Sequence, residues 1–299
     1  MRSPLATGTA TSHFRRMQTR REFLGTLGIG ALGASMLACA RSNGQATVPP
    51  AVMPIGIQLY TLRSLLERDF DGTLARVAEI GYRELEFAGY YNRTPAQVRE
   101  VLQRTGLTTP SSHSPLPAND DAWARAVDDS KAIGNTWIVI PWLDPSQRTT
   151  PDVWPRLADR LNALATRAKS AGLRLAYHNH DFELASSGSG TFLDVLLSRT
   201  DPQLVDFEMD VYWVVKAGAD PMSFLARYPG RFPLLHIKDA TAAPERRMVD
   251  VGAGSIDFRT LLAAARPQGL KHIFVEHDQP ADPLGSARAS YGHLSALRF

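Results

Sequence analysis

Leu173-Arg174-Leu175-Ala176-Tyr177-His178-Asn179-His180 is a short apolar run that ends in imidazoles. Side chains of a strand alternate between two faces, so His178 and His180 point one way and Tyr177 the other. Before this run lies an amphipathic helical stretch, Val153–Ser170, and after it a second apolar run opens at Leu204. Followed outward in both directions, the same unit recurs: a short apolar strand, a polar turn, then an amphipathic helix. The first four strands are expected at Ile55–Tyr60, Arg83–Phe87, Leu107–Ser112 and Thr136–Pro141. The second four are expected at Leu173–His178, Leu204–Asp210, Phe232–Ile237 and His272–Glu276. Helical stretches such as Pro95–Arg104, Asp121–Ile133 and Pro221–Arg227 fall between them, and several end at a glycine (81, 106, 134, 172), as helix C-termini prefer. Apolar strands alternating with helices imply a parallel sheet. Eight such units in the 245 residues from 55 to 299 predict an α/β fold, a single (β/α)8 TIM barrel. The rival, an open doubly wound sheet, lacks support, because no G-x-G-x-x-G or P-loop follows the first strand.

The composition agrees with a folded protein. Of 299 residues, 44% are apolar and 21% charged, which excludes disorder and collagen-like repeats. The formal charge of +3 is unevenly placed. Residues 1–40 hold Arg2, Arg15, Arg16, Arg20 and Arg21 against Glu22, leaving 28 basic and 29 acidic residues in the remainder. A nucleic-acid partner calls for a basic folded portion, and this one is close to neutral. The single cysteine, Cys39, also lies in the first 40 residues, so the barrel can form neither a disulfide nor a thiolate metal cluster.

Residues 1–40 read as an export signal preceding the barrel, with a short linker over 41–54. Thr19-Arg20-Arg21-Glu22-Phe23-Leu24-Gly25 opens a Gly-rich apolar run that continues to Ala40. It is short for a membrane span, so no stable membrane span is expected, and it has a basic start and a small-residue end. The pattern resembles a twin-arginine signal, read by the Tat export machinery, which carries folded proteins across the membrane. Ala38-Cys39-Ala40 offers a cleavage site, whereas Met36-Leu37-Ala38-Cys39 resembles an imperfect lipoprotein box that would place a lipid anchor on Cys39. Either route gives a periplasmic or lipid-anchored, periplasm-facing protein, and Met17 is an alternative start.

In a barrel of this kind the chemistry gathers where strands end and the following loops begin. The strand ends carry Gln58, Glu86, His113, Trp142, His178, His180, Asp210, His236, Lys238 and Glu276. A charged group or imidazole at nearly every strand exit is costly to build for stability alone. In Asp206-Phe207-Glu208-Met209-Asp210 the three acids share one face, and His236 and Lys238 share another. His178, Asp210, His236 and Glu276, from strands five to eight, are therefore placed to converge. Two imidazoles and two carboxylates suit one divalent ion, Mn, Zn or Co, better than Mg. Each residue also has a plainer reading. A lone interior His can be a hydrogen-bonded core residue, Asp210 can cap the next helix, and Glu276 can pair with a neighbouring Lys or Arg.

These residues resemble the xylose-isomerase-like TIM-barrel family of sugar phosphate isomerases/epimerases. The resemblance lies in Tyr177-His178-Asn179-His180-Asp181-Phe182-Glu183, Glu208-Met209-Asp210-Val211-Tyr212-Trp213 and Leu235-His236-Ile237-Lys238-Asp239. Gly252-Ala253-Gly254-Ser255-Ile256-Asp257-Phe258 and Val275-Glu276-His277-Asp278 complete it. The nearest likeness is to the exported branch with Y-H-N-H and H-x-K-D motifs. The resemblance implies one divalent cation held by an acid of strand five, Asp210, His236 and Glu276. Strand five departs from it: ketose 3-epimerases carry a glutamate there, and this chain has His178. Trp213 likewise stands where many relatives carry a His that contacts sugar or phosphate.

The expected function is a metal-dependent isomerase or epimerase of a sugar, keto-sugar or polyol derivative, working through an enediolate. Glu276, His178, His180 and Glu86 are the candidate bases, and Lys238 would hold the developing oxyanion or donate a proton. Gln58, His113, Trp142, Tyr212 and Trp213 are the expected substrate contacts, and Tyr60 adds another flat face. The same intermediate can expel a leaving group, so a dehydratase or lyase of a keto-inositol or keto-glycoside is the alternative. Two rivals differ in class: an apurinic-site endonuclease, disfavoured by the neutral body, and a non-catalytic periplasmic sugar-binding protein.

Overall fold

The computed structural model describes residues 53–298. The stretch expected to be an export signal, Cys39 as a candidate lipid-anchor site, and nearly all of the expected linker lie outside these residues. Among the described residues no helix is long and apolar enough to cross a membrane.

Eight parallel strands close into a barrel, each paired with its neighbour in sequence and the last with the first. They are β1 (Ile55–Gln58), β2 (Glu84–Phe87), β3 (Thr108–His113) and β4 (Trp137–Ile140). Then follow β5 (Arg174–His178), β6 (Val205–Asp210), β7 (Leu234–Ile237) and β8 (His272–Val275). The helices at Val153–Ser170 and Pro221–Arg227 fall at their expected bounds. Several of the helices are held at both ends by local chemistry. Thr94 accepts from the Gln97 N–H while Pro95 starts that helix, and Gly106 ends it at φ 68°, a left-handed conformation that glycine tolerates best.

Sequence and structure differ at the first strand. It was expected to run to Tyr60, but it stops at Gln58, whose side chain accepts the Tyr60 N–H and turns the chain into a 3-10 helix, Leu59–Leu62. Tyr60 is thereby left 42% exposed at the rim.

The outer faces of the strands pack on the helices to form the main core. Inside the barrel a small apolar plug of Trp137, Val139, Ala176, Leu234 and Phe274 separates two polar ends. Gly56 is fixed by this plug, because a Cβ there would lie 2.6 Å from the Phe274 ring. At the strand N-termini Asp206 accepts from the Trp137 indole at 2.7 Å and pairs with Arg174, while His272 and Glu84 pair at 2.8 Å. The opposite end carries the cluster described next.

Candidate active site

Strand register builds the site. His178 lies opposite Glu208 between β5 and β6, and Asp210 lies opposite His236 between β6 and β7. All four are buried, with Glu208, Asp210 and His236 fully so. Two tiers result.

The lower tier is a hydrogen-bonded network around Glu86 and Glu208. Glu208 Oε2 faces His113 Nε2 at 2.9 Å, His178 Nδ1 at 3.0 Å and His236 Nε2 at 3.0 Å. Glu86 Oε2 accepts from Gln58 at 2.8 Å and lies 2.6 Å from His236 Nε2 and 3.0 Å from His113 Nε2. Burial alone would lower the His113 pKa, yet Glu86 and Glu208 raise it to about 9. Burial would raise that of Glu86, but His113 and His236 hold it well below the carboxylate range.

The upper tier is the expected quartet. Asp210 Oδ2 lies 3.6 Å from His178 Nε2 and 4.0 Å from His236 Nδ1, and Glu276 Oε2 lies 2.7 Å from His236 Nδ1. The plainer readings of both acids hold as well. Asp210 Oδ1 accepts the Trp213 N–H at 3.0 Å and caps the helix Val211–Lys216. Glu276 Oε2 is paired with Lys238 at 2.7 Å. The second oxygen of Asp210 is buried and makes no hydrogen bond, but it faces the Lys238 ammonium at 3.0 Å.

Three observations fit this donor set to a divalent cation. Asp210, His236 and Glu276 each present one donor atom, all within 4.8 Å of one another, while His178 approaches this trio through Asp210 at 3.6 Å and also groups with His113, Glu208 and His236. His178 and His236 turn their far ring nitrogens to Glu208, the arrangement by which metal-bound imidazoles are oriented. Burial, together with the neighbouring imidazoles, pushes the His178 pKa down, so the ring is neutral as a ligand must be. Around His236 burial is outweighed by Glu208, Glu276 and Glu86, which favour the doubly protonated ring; a proton therefore competes with a cation at Nδ1.

Above these tiers opens a cavity of about 470 Å³. Tyr60, His113, Trp142, His178, His180, Lys238 and Glu276 are among the side chains lining it, with Asp278 and Gln279. Tyr60 and Trp142 stand 42% and 43% exposed at its edge. His180 stacks on Phe182 and lies 5.2 Å from the Trp213 ring, and its Nδ1 is buried without a partner. Burial, then Lys238, lowers the His180 pKa to about 3. Glu183 fixes this turn by accepting from the His180 backbone N–H at 2.8 Å and the Tyr177 hydroxyl at 2.6 Å.

Four of the expected catalytic and substrate-contact residues are not among those lining the cavity, and neither are the expected ligands Asp210 and His236. Gln58 and Glu86 are fully buried in the lower tier, where each is committed to other side chains. Tyr212 is 5% exposed and its hydroxyl donates to the Arg246 carbonyl. Trp213 backs His180 rather than facing the cavity. Two residues gain importance that the sequence reading gave them no part in. Glu208 appears in the sequence reading only as a face-mate of Asp210 and a motif residue, and Asp278 only as the last residue of the Val275–Asp278 motif, with no role for either.

The chain belongs to the xylose isomerase-like TIM barrel family, whose model matches residues 74–297. An inosose dehydratase of Lacticaseibacillus casei is 26% identical over 293 residues, covering 84% of this chain and 97% of its own. A sugar phosphate isomerase/epimerase of Parabacteroides distasonis superposes with a TM-score of 0.70 at 26% identity, covering 83% of this chain and 96% of its own. A zinc-bound IolI protein superposes with a TM-score of 0.63 at 15% identity, covering 81% and 96%, a likeness that shows the fold alone.

Proposed function

We propose that this protein is a divalent-metal-dependent lyase that removes water, or a comparable oxygen leaving group, from a ketone-bearing cyclic polyol or sugar. The asymmetry of the acid and base groups carries this reading. Epimerisation by two glutamates needs one on each face of the sugar; here only Glu276 is present, and β5 supplies His178. What lines the cavity instead is one imidazole with an unpartnered ring nitrogen, His180, together with two proton-bearing groups, Lys238 and His113. One base and separate acids suit elimination. The inosose dehydratase relative points the same way.

His178, Asp210, His236 and Glu276 would hold the ion. A bound divalent ion would polarise the ketone and make the neighbouring C–H more acidic. The mixed nitrogen and oxygen donors favour Mn, Zn or Co, and IolI is a zinc-bound member of the same fold. His180 takes the proton from the carbon beside the ketone, and the C–H electron pair becomes the enolate. The Lys238 ammonium faces the developing oxyanion. When the enolate collapses, the C–O bond on the next carbon breaks. His113 gives that oxygen a proton, so one water leaves and an unsaturated ketone remains. Trp142 and Tyr60 offer flat rings to the apolar face of the substrate. Export by the Tat route would place this chemistry in the periplasm.

The test is incubation of the Mn²⁺-loaded protein with an inosose in D₂O, read by mass spectrometry. The expected product is lighter by one water and forms only with metal. Deuterated, undehydrated sugar would overturn the reading in favour of isomerisation or epimerisation. Unaltered, undeuterated inosose would count against proton removal from this substrate altogether.

A further inference from the structure

Lys238 sits where a cation is wanted. Its Nζ lies 3.0 Å from Asp210 Oδ2, 2.7 Å from Glu276 Oε2 and 2.7 Å from Asp278 Oδ1, and only 2% of the residue is exposed. The first two of these oxygens belong to the quartet proposed to hold the metal, but Asp278 does not. One ammonium among three carboxylates leaves these oxygens with an excess of negative charge, which a divalent ion would offset. The donor geometry does not allow both cations at the same oxygens, because two positive charges about 3 Å apart in a buried site repel strongly.

We propose that Lys238 is a resident counter-cation: its ammonium holds Asp210 and Glu276 together in the metal-stripped protein and withdraws onto Asp278 when a divalent ion is bound. Asp278 is built for the second position. Its side chain is 24% exposed at the outer edge of the cluster, and its backbone is tied down, with the N–H facing Met248 Sδ and the carbonyl accepting from Arg63. The Trp213 ring lies 5.8 Å from Nζ and offers the ammonium a favourable face. A lysine stem has four rotatable bonds, so a short swing of the head group needs no backbone change. The ammonium stays protonated throughout. It is therefore available, on Asp278, to face the substrate oxyanion beside the ion. The idea rests on the metal reading above, but it can fail separately.

The test is calorimetric titration of chelator-stripped protein with Mn²⁺, combined with thermal melting without metal. Lys238→Met removes the competitor. It should bind Mn²⁺ about tenfold tighter or better and melt at a lower temperature when stripped. Asp278→Asn should weaken Mn²⁺ binding in the parent chain, because the ammonium has lost its alternative seat, yet have little effect in the Lys238→Met background. This double-mutant cycle isolates the pair. Equal or weaker Mn²⁺ binding by Lys238→Met, or the same loss from Asp278→Asn in both backgrounds, would overturn the proposal. Mn²⁺ binding by Lys238→Met but not by the parent would uphold the competition and overturn the metal requirement. No binding by either would remove both.

Discussion

Glu208 sits fully buried on β6 beneath the quartet. The sequence placed it on the same face as Asp210, but alternation gives a face and not a depth, so its role was hidden. In the structure one oxygen receives the far nitrogens of both imidazoles of the quartet. Glu208→Gln would keep the shape while removing the charge that orients and activates them. Affinity for Mn²⁺ is expected to fall about 10- to 100-fold, measured by competition against a chelator of known strength. Undiminished affinity would show that the imidazoles need no such support. His178, Asp210, His236 and Glu276 were legible because each ends a strand, where the barrel fixes position. The pairing of Lys238 with Asp278 was not, since Asp278 comes from a loop whose path no periodicity predicts.

At the scale of elements, most strands and helices were legible because burial on both faces demands apolar runs and because caps and glycines mark helix ends. The loop after β7 was less so. It contains a small antiparallel ribbon, Asp239–Ala240 with Met248–Val249, and its shape is set by one side chain. Asp239 accepts backbone N–H groups from Ala240, Gly252, Gly254 and Ile256. This explains why an acid follows Lys238 and why glycines follow the ribbon. A Cβ on Gly254 would lie 2.2 Å from Asp239 Oδ1 and 2.5 Å from the Ala240 carbonyl. Gly254→Ala is therefore expected to cost about 1–3 kcal/mol in urea unfolding. It should also lower turnover more than it weakens substrate binding, since Lys238, which faces the developing oxyanion, immediately precedes this anchor. A variant with parental stability would mean that the loop adjusts freely.

Across the whole molecule, the plug of Trp137, Val139, Ala176, Leu234 and Phe274 divides the barrel interior into an end that stabilises and an end that reacts. The polar groups at the strand N-termini are satisfied by one another and have no part in the proposed chemistry. Asp206→Ala would leave the buried Trp137 indole N–H without its acceptor. Unfolding free energy should fall by about 1–3 kcal/mol while Mn²⁺ affinity stays at the parental value. A change in Mn²⁺ affinity would show that the two ends are coupled.

The account as a whole depends on an ion at the other end. Metal content per chain, measured by elemental analysis after purification without chelator, tests this most directly when the parent is set beside Asp210→Asn. The parent should carry one divalent transition-metal ion per chain and Asp210→Asn little or none. A parent without metal, or an Asp210→Asn protein that retains the full amount, would contradict it.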